Sequence, residues 1–179
     1  IAREIETAGD LPALKAATVQ IDGLIRVLRH DGVRIEVIAG LVGALNRQVF
    51  GRLWGLLAPE LLRANSCLIV MGSEGRGEQI VKTDQDNALI LRDGFSFDGL
   101  EAVTEAFTAA LIDFGYPPCP GGIMLSRPLW RQSLSGFKDT LRGWIHGDDP
   151  EGPMNLAIFL DASAVAKVFA GGERDRDRP

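Results

Sequence analysis

A pair of aspartates, preceded by a glycine-rich turn, is the part of this sequence best suited to chemistry. Asp84 and Asp86 are one residue apart at the start of an apolar run. Residues i and i+2 of a strand point to the same side, so both carboxylates aim at one spot. Two adjacent carboxylates are costly unless a cation lies between them or one takes a proton. Because Mg²⁺ prefers oxygen ligands, the pair predicts a site for Mg²⁺ or Mn²⁺.

The dipeptide Gly72-Ser73 ends the preceding apolar run. Backbone N–H groups and a hydroxyl at such a turn can cradle a phosphate. Arg76 follows, and its guanidinium could grip phosphate through paired N–H groups, or it could pair with Glu74 or Glu78 and hold the turn in shape. A phosphate cradle beside a metal-binding carboxylate pair is the equipment for nucleotidyl transfer, in which cations neutralise charge on the phosphate oxygens.

The segment that begins at Gly72 reads G-S-E-G-R-G-E-Q-I-V-K-T-D-Q-D-N-A-L. It resembles the nucleotidyltransferase superfamily of DNA polymerase beta, in which a strand ends in Gly-Ser and Asp-x-Asp follows on the next strand. It resembles more closely the branch that modifies proteins, such as the uridylyltransferase of the PII signal protein. The wording is most similar to an uncharacterised nucleotidyltransferase family that often follows cyclic-nucleotide-binding and CBS domains in bacterial signalling proteins. The later segments P-C-P-G-G-I-M and W-R-Q-S-L resemble that family too.

The resemblance implies an α/β fold with a small mixed sheet flanked by helices. It also implies a metal-dependent transfer of a nucleoside monophosphate from an NTP to a hydroxyl, which we expect to lie on a protein. Gly72, Ser73 and Arg76 would then bind the triphosphate, and Asp84 and Asp86 would bind the Mg²⁺ or Mn²⁺. The alternative, from another class, is a non-catalytic nucleotide-sensing module with the same fold.

The superfamily uses a third carboxylate, from a later strand, to complete the metal site and to help deprotonate the attacking hydroxyl. We expect Asp161 to be this residue, because it ends the apolar run 156–160, which we predict to be a strand beside Asp86. The alternative role for Asp161 is the N-cap of a helix over residues 162–168. Asp148 and Asp149 are weaker candidates, since a turn-rich loop more often carries solvated charge.

Two long amphipathic helices are predicted before the motif. The first starts near Pro12 and ends near Gly32, and the second covers about residues 33–57, with Asn46 off its apolar stripe. The short connection makes them an antiparallel hairpin within residues 1–63. The hairpin either packs on the catalytic domain or also offers a docking surface to upstream regulatory domains.

The catalytic domain is predicted over residues 64–170, before a disordered charged tail over 171–179. Its other predicted elements are strands at 67–71, 86–91 and 156–160, a possible short strand at 123–125, a helix after a capping box of Asp98 and Glu101, and a helix over about 135–145. We expect Lys82 to be solvated and Asn87 to face away from the aspartate pair.

The composition limits the class of protein. The chain has 179 residues, of which 46% are hydrophobic and 24% charged, as is usual for a globular domain. A net charge of −5 argues against non-specific binding of nucleic acid, and no apolar run approaches the length of a membrane span. Cys67 and Cys119 form no disulfide framework, which favours a reducing, cytoplasmic location. Because the chain starts at Ile1 without methionine, we expect it to be part of a longer protein.

Overall fold

The computed structural model describes residues 1–166, so the predicted tail over 171–179 lies outside the described residues. The fold is α/β, a four-stranded mixed sheet flanked by helices, as predicted. Its elements are, in order, α1 (Ala2–Thr7), α2 (Leu11–His30), α3 (Ile35–Leu57), α4 (Glu60–Ala64), β1 (Ser66–Val70), α5 (Gly72–Arg76), β2 (Asn87–Leu91), α6 (Leu100–Asp113), a 3₁₀ turn (Pro128–Trp130), β3 (Arg131–Ser133), α7 (Leu134–His146), α8 (Gly152–Leu160) and β4 (Ser163–Ala166). None of the helices in the described part has the length and apolarity needed to cross a membrane.

The predicted helical pair is present as α2 and α3, which pack against each other. The Asp10 side chain caps α2 by accepting a hydrogen bond of 2.9 Å from the backbone N–H of Ala13. After α2 the chain turns at Gly32, whose φ of +71° is a conformation that favours glycine. Asn46, predicted to lie off the apolar stripe of α3, is buried at 1% exposure, which corrects that prediction.

The sheet has the strand order β3-β2-β1-β4, with β1 antiparallel to both of its neighbours and β2 parallel to β3. Strand β1 alternates between two cores, as a sheet covered on both sides should. Leu68 and Val70 belong to the core that contains the hairpin and α6, whereas Ile69 and Met71 belong to a core with residues of α7 and α8. The sheet is therefore held between the hairpin and the last two helices.

The run 156–160, predicted as a strand, is the second half of helix α8. Pro153 stands in the first turn of α8, where its missing N–H would have no helical partner anyway. Phe159 then packs against two aromatic rings of α7. A short apolar run fits a buried strand or a buried helix equally well by its pattern. The predicted helix over 162–168 is also wrong, because β4 begins at Ser163.

Two smaller predictions need correction. Residues 123–125 form no strand. Helix α6 begins after Gly99, which has a φ of +88° and caps the helix without a side chain, so Asp98 and Glu101 form no capping box. The predicted helix over about 135–145 is confirmed as α7.

Candidate active site

The antiparallel pairing of β1 with β2 brings the Gly72 turn beside Asp86. Val70 pairs with Asn87 at the end of the ladder, and one step further the N–H of Met71 donates to the carbonyl of Asp86 at 2.9 Å. Gly72 has a φ of +56°, and a Cβ at this position would lie 2.6 Å from Asp86 Oδ2. Glycine is therefore required both by the backbone conformation and by the carboxylate next to it.

The carboxylates of Asp84 and Asp86 converge, together with the thiol of Cys119. One ligand atom from each of the three residues lies within 4.8 Å of the other two. The two aspartates precede β2, which starts at Asn87, and they are separated by Gln85, which forms an isolated bridge with Pro118. The prediction from residue alternation, that both carboxylates point to one spot, agrees with this geometry.

The residues between and after the aspartates hold the loop that carries Cys119. The backbone N–H of Gln85 donates to the Pro117 carbonyl at 2.9 Å. The side-chain oxygen of buried Asn87 accepts from the N–H of Leu125 at 2.9 Å, and its amide nitrogen donates to Gln85 Oε1 at 3.3 Å. Asn87 thus faces this loop rather than the aspartate pair, as predicted, and it anchors the loop on the sheet.

The environment of Asp86 disfavours its charged form. Burial raises the pKa of its carboxyl, the negative charge of Asp84 raises it further, and a hydrogen bond with the Cys119 thiol acts in the opposite direction. Burial and the hydrogen bond to Asp86 raise the pKa of the Cys119 thiol in turn. Within the described chain, Asp86 Oδ1 is buried and has no hydrogen-bond partner.

These residues fit a divalent cation. A buried carboxylate oxygen without a donor is costly, and a cation shared with Asp84 would relieve both the missing partner and the repulsion. Two carboxylates suit Mg²⁺ or Mn²⁺, whereas the Cys119 thiol is a ligand that softer metals prefer. We therefore assign the candidate cation site to Asp84 and Asp86, with Cys119 as a neighbour whose sulfur lies within 4.8 Å of both carboxylates.

The structure places Asp161 against Arg76 rather than within the group of Asp84, Asp86 and Cys119. Arg76 Nη1 donates to Asp161 Oδ2, and Arg76 Nε donates to Glu78 Oε2 at 2.8 Å. Asp161 caps the C-terminal end of α8, so the strand expected to carry it is absent. Of the two roles open for Arg76, the one visible here is pairing with carboxylates.

The remaining residues of the predicted phosphate turn are Ser73, with an unengaged hydroxyl in the described structure, and Gly75, which packs against Asp161. Ser73 lies in α5 and is half-buried, and among residues 1–166 no group hydrogen bonds to its hydroxyl. A Cβ at Gly75 would clash with the Asp161 carbonyl oxygen, so the chain after α8 packs directly on α5. Asp161 is consequently a neighbour of the phosphate turn.

A second polar group, which the sequence analysis missed, lies behind this turn. Asn46, Glu74, Gln79 and Tyr116 are all buried and hydrogen bonded to one another through Asn46. Lys82, expected to be solvated, is only 12% exposed and pairs with Asp22 of α2 at 2.9 Å. That expectation was wrong because the hairpin covers the loop between α5 and Asp84, which contains Lys82.

Some signals for the missed residues are present in the sequence. A single asparagine among the apolar residues of α3 is unusual on a buried helix face, and such a residue needs partners. Cys119 lies in the proline-rich segment that carries part of the family resemblance. For Glu74 and Tyr116 we find no sequence signal, because their partner comes from a distant part of the chain.

A mixed sheet with a glycine turn after one strand and two converging aspartates before the next defines a nucleotidyltransferase-like domain. Residues 19–151, which is more than half of the chain, match the family described as Putative nucleotidyltransferase DUF294. The chain belongs to that family. No match was found among curated proteins or among solved structures.

Proposed function

We propose that this domain transfers a nucleoside monophosphate from an NTP to a hydroxyl group with the help of Mg²⁺ or Mn²⁺. The observation that carries the proposal is the meeting of Asp84 and Asp86 beside Gly72, with one buried oxygen of Asp86 lacking a partner among residues 1–166. A protein is the proposed acceptor and bacterial signalling the proposed context, because the motif resembles the protein-modifying branch. A reducing, cytoplasmic location is part of the proposal, because a sequence with two cysteines in 179 residues carries no disulfide framework.

In this reaction the bond between the α-phosphorus and the bridging oxygen of the pyrophosphate breaks, and a bond from the acceptor oxygen to the α-phosphorus forms. Asp84 and Asp86 would hold the cation, which, when bound, neutralises charge on the phosphate oxygens. Gly72 lets the backbone approach the triphosphate closely, and the hydroxyl of Ser73, which no group in the described part of the chain engages, can donate one hydrogen bond to it. Asp86 must be ionised for this role, and its raised pKa therefore favours binding at higher pH.

Arg76 and Asp161 belong to the proposal as a pair. Arg76 is partly exposed beside the turn, so it can exchange a carboxylate partner for a phosphate. Release of Arg76 would free Asp161 to take the acceptor proton or to join the cation site, the roles that the resemblance assigns to it. In our proposal, Arg76 therefore pairs with Asp161 before the nucleotide binds and with a phosphate afterwards.

The same ion pair favours the second candidate function, a nucleotide-sensing module that binds without turnover. With Asp161 held by Arg76, the third carboxylate of the superfamily is absent from the aspartate pair. Both functions require nucleotide binding, and only the enzyme releases pyrophosphate. Turnover therefore distinguishes them.

The experiment begins with calorimetric titration of Mn²⁺ together with each common NTP. We expect binding by the parent protein and its loss in the double variant Asp84→Asn, Asp86→Asn, with the fold intact by circular dichroism. Asp148→Asn is the matched control, since Asp148 is exposed in the loop between α7 and α8. Unchanged binding in the double variant would contradict the cation site.

The second stage measures turnover. NTPs labelled at the α-phosphate are incubated with the protein and a cell lysate, and pyrophosphate release and the labelled product are followed. Label on a protein that depends on Asp161 supports the enzyme, and label on RNA or a small molecule would contradict the protein acceptor. Tight binding with no release supports the sensing module.

A further inference from the structure

The hydrogen bonds of Asn46 lead from the hairpin into the candidate site. Asn46 lies in the middle of α3 and is 1% exposed. Its Oδ1 accepts from the Tyr116 hydroxyl at 2.7 Å. Its Nδ2 donates to Glu74 Oε2 at 3.1 Å and to Gln79 Oε1 at 3.2 Å. Every one of these partners is itself buried, so each bond is formed away from water, where a missing partner is costly.

The three partners come from three separate segments, and each segment delivers one group to the site. Glu74 belongs to α5, the helix that begins with Gly72 and Ser73. Gln79 donates to the hydroxyl of Thr83, the residue directly before Asp84. Tyr116 is the first residue of the loop that leads to Cys119, whose sulfur lies within 4.8 Å of a carboxylate oxygen of Asp86. One side chain of the hairpin thus contacts every segment that builds the candidate cation site.

A second contact from the hairpin holds the loop that contains Gln79, between α5 and Asp84. Lys82 Nζ bonds Asp22 Oδ2 of α2 at 2.9 Å and lies 5.6 Å from the centre of the Tyr116 ring. Both helices of the hairpin therefore hold the loop between α5 and Asp84. A hairpin that only covered the sheet would need no polar contacts of this kind, so these contacts indicate a further role for the hairpin.

We propose that Asn46 is a positioning residue of the nucleotidyl-transfer site, fixing from the hairpin how the Gly72 turn, Asp84 and Cys119 lie relative to one another. This inference rests on the proposed function for its catalytic meaning. Asn46 itself contacts no site carboxylate in the described structure, so its effect passes through Glu74, Gln79 and Tyr116. The hairpin is accordingly part of the scaffold of the site.

The electrostatics of Glu74 make this role sensitive to the loss of Asn46. The Asn46 amide is a hydrogen-bond donor to the Glu74 carboxylate, while Oε1 of Glu74 is buried and without a partner in the described residues. The Arg47 guanidinium on the same helix also favours the charged form of Glu74, and the negative charge of Glu74 in turn raises the pKa of the Tyr116 hydroxyl. Removal of the amide leaves the carboxylate without its donor and favours movement of α5.

The test compares Asn46→Ala with Val42→Ala. Val42 lies one turn earlier on α3, is 2% exposed and belongs to the apolar core. Its apolar side chain makes none of the hydrogen bonds to the three segments, so its truncation weakens packing and leaves those hydrogen bonds in place. Mn²⁺–NTP affinity is measured by calorimetry at a temperature at which both variants are folded. We expect Asn46→Ala to lose about tenfold in affinity and Val42→Ala to bind like the parent.

A second readout does not depend on nucleotide binding. The rate at which a thiol reagent modifies Cys119 is followed by peptide mass spectrometry in the same variants. We expect Asn46→Ala to speed this modification about tenfold relative to Val42→Ala, because Tyr116 no longer holds the loop. If the parent bound no Mn²⁺–NTP, the proposed function would fail, while the thiol rate would still decide whether Asn46 positions the loop.

Tyr116→Phe covers the case in which Asn46→Ala does not fold. It removes only the hydroxyl donor and keeps the buried ring, so we expect a folded protein with faster Cys119 modification and weaker Mn²⁺–NTP binding, both in the same direction as for Asn46→Ala. Equal behaviour of Asn46→Ala and Val42→Ala, or parent-like rates and affinity in Tyr116→Phe, would overturn the positioning role.

Discussion

Two polar groups flank the turn after β1, and they differ in how their hydrogen-bonding capacity is used. On one side, Asp84 and Asp86 converge with Asp86 Oδ1 buried and unpartnered within the described residues. On the other side, the Asn46 amide engages Tyr116, Glu74 and Gln79. Folding tolerates an unpartnered buried oxygen where a ligand can supply the partner. Glu74 Oε1 is also buried and unpartnered within residues 1–166, but Glu74 Oε2 accepts from the Asn46 amide, whereas Asp86 lies beside the second carboxylate of Asp84. We therefore propose the first group as the ligand site and the second as its support.

The largest expected effect is that of Gly72→Val. The new Cβ would meet Asp86 Oδ2 at 2.6 Å and would force a branched residue to a φ of +56°. We expect Mn²⁺–NTP affinity to fall by about a hundredfold or more in calorimetry, equivalent to about 3 kcal/mol. The matched control is Gly94→Val, since Gly94 has a φ of +76° and open space around it. Equal binding losses in the two variants would show that backbone strain, not the approach to Asp86, is responsible.

Glu74→Gln tests the supporting group, in which Glu74 Oε1 is buried and has no hydrogen-bond partner among the described residues. Burial raises the pKa of Glu74 from 4.5 to about 7, with hydrogen bonding from Asn46 and the charge of Arg47 opposing it. Because the folded pKa is above the unfolded one, the native state binds the proton more tightly. Stability is therefore lost as the pH rises from about 4.5 through 7.

Glutamine stays neutral at every pH, so the free energy of unfolding of Glu74→Gln should not fall as the pH rises in this way. We expect the parent to lose about 2 to 3 kcal/mol more than Glu74→Gln between about pH 5 and pH 8, measured as urea unfolding free energies. Glu105→Gln, at an exposed position of α6, should follow the parent. Parallel pH profiles for parent and Glu74→Gln would mean that the Glu74 carboxyl is not desolvated.

Cys119→Ala tests the group of Asp84 and Asp86, and we expect a smaller effect from it. The hydrogen bond from Cys119 lowers the pKa of Asp86, so its loss should raise that pKa further and move Mn²⁺ binding to higher pH. We expect a loss of up to about tenfold in Mn²⁺ affinity near neutral pH and recovery in Cys119→Ser, which keeps a donor. Cys67→Ser is the control. Failure of serine to restore binding, with Zn²⁺ binding lost as well, would make Cys119 a direct ligand.

Ser73→Ala should have the smallest effect. One hydrogen bond to phosphate contributes about 0.5–1.5 kcal/mol net, so we expect roughly a threefold loss of NTP affinity with unchanged Mn²⁺ affinity. The comparison with Ser126→Ala, a serine outside the turn, controls for the loss of a hydroxyl. A loss of Mn²⁺ affinity in Ser73→Ala would place the hydroxyl at the cation instead of the phosphate.

The sequence predicted the meeting of Asp84 and Asp86 beside Gly72 well, and it predicted the hydrogen-bonded group around Asn46 poorly. Gly72 follows β1 and Asp86 precedes β2, and these two strands pair with each other, so alternation and the family motif suffice to bring the two residues together. Asn46 meets Glu74 through packing of the hairpin on the loop, which no local pattern encodes. Asp161 was assigned to a strand because a five-residue apolar run has no decisive period, and only its packing on α7 makes it a helix.

The position of β4 has a consequence for any shortened form of this protein. The family match ends at residue 151, yet β4 pairs with β1 at the centre of the sheet, with Ile69 opposite Ala164 and Val70 opposite Ser163. A chain cut after residue 151 would turn β1 into a bare edge with unpaired backbone donors and acceptors. Such edges recruit strands from other molecules. The shortened protein should therefore self-associate, although it retains Gly72, Asp84 and Asp86.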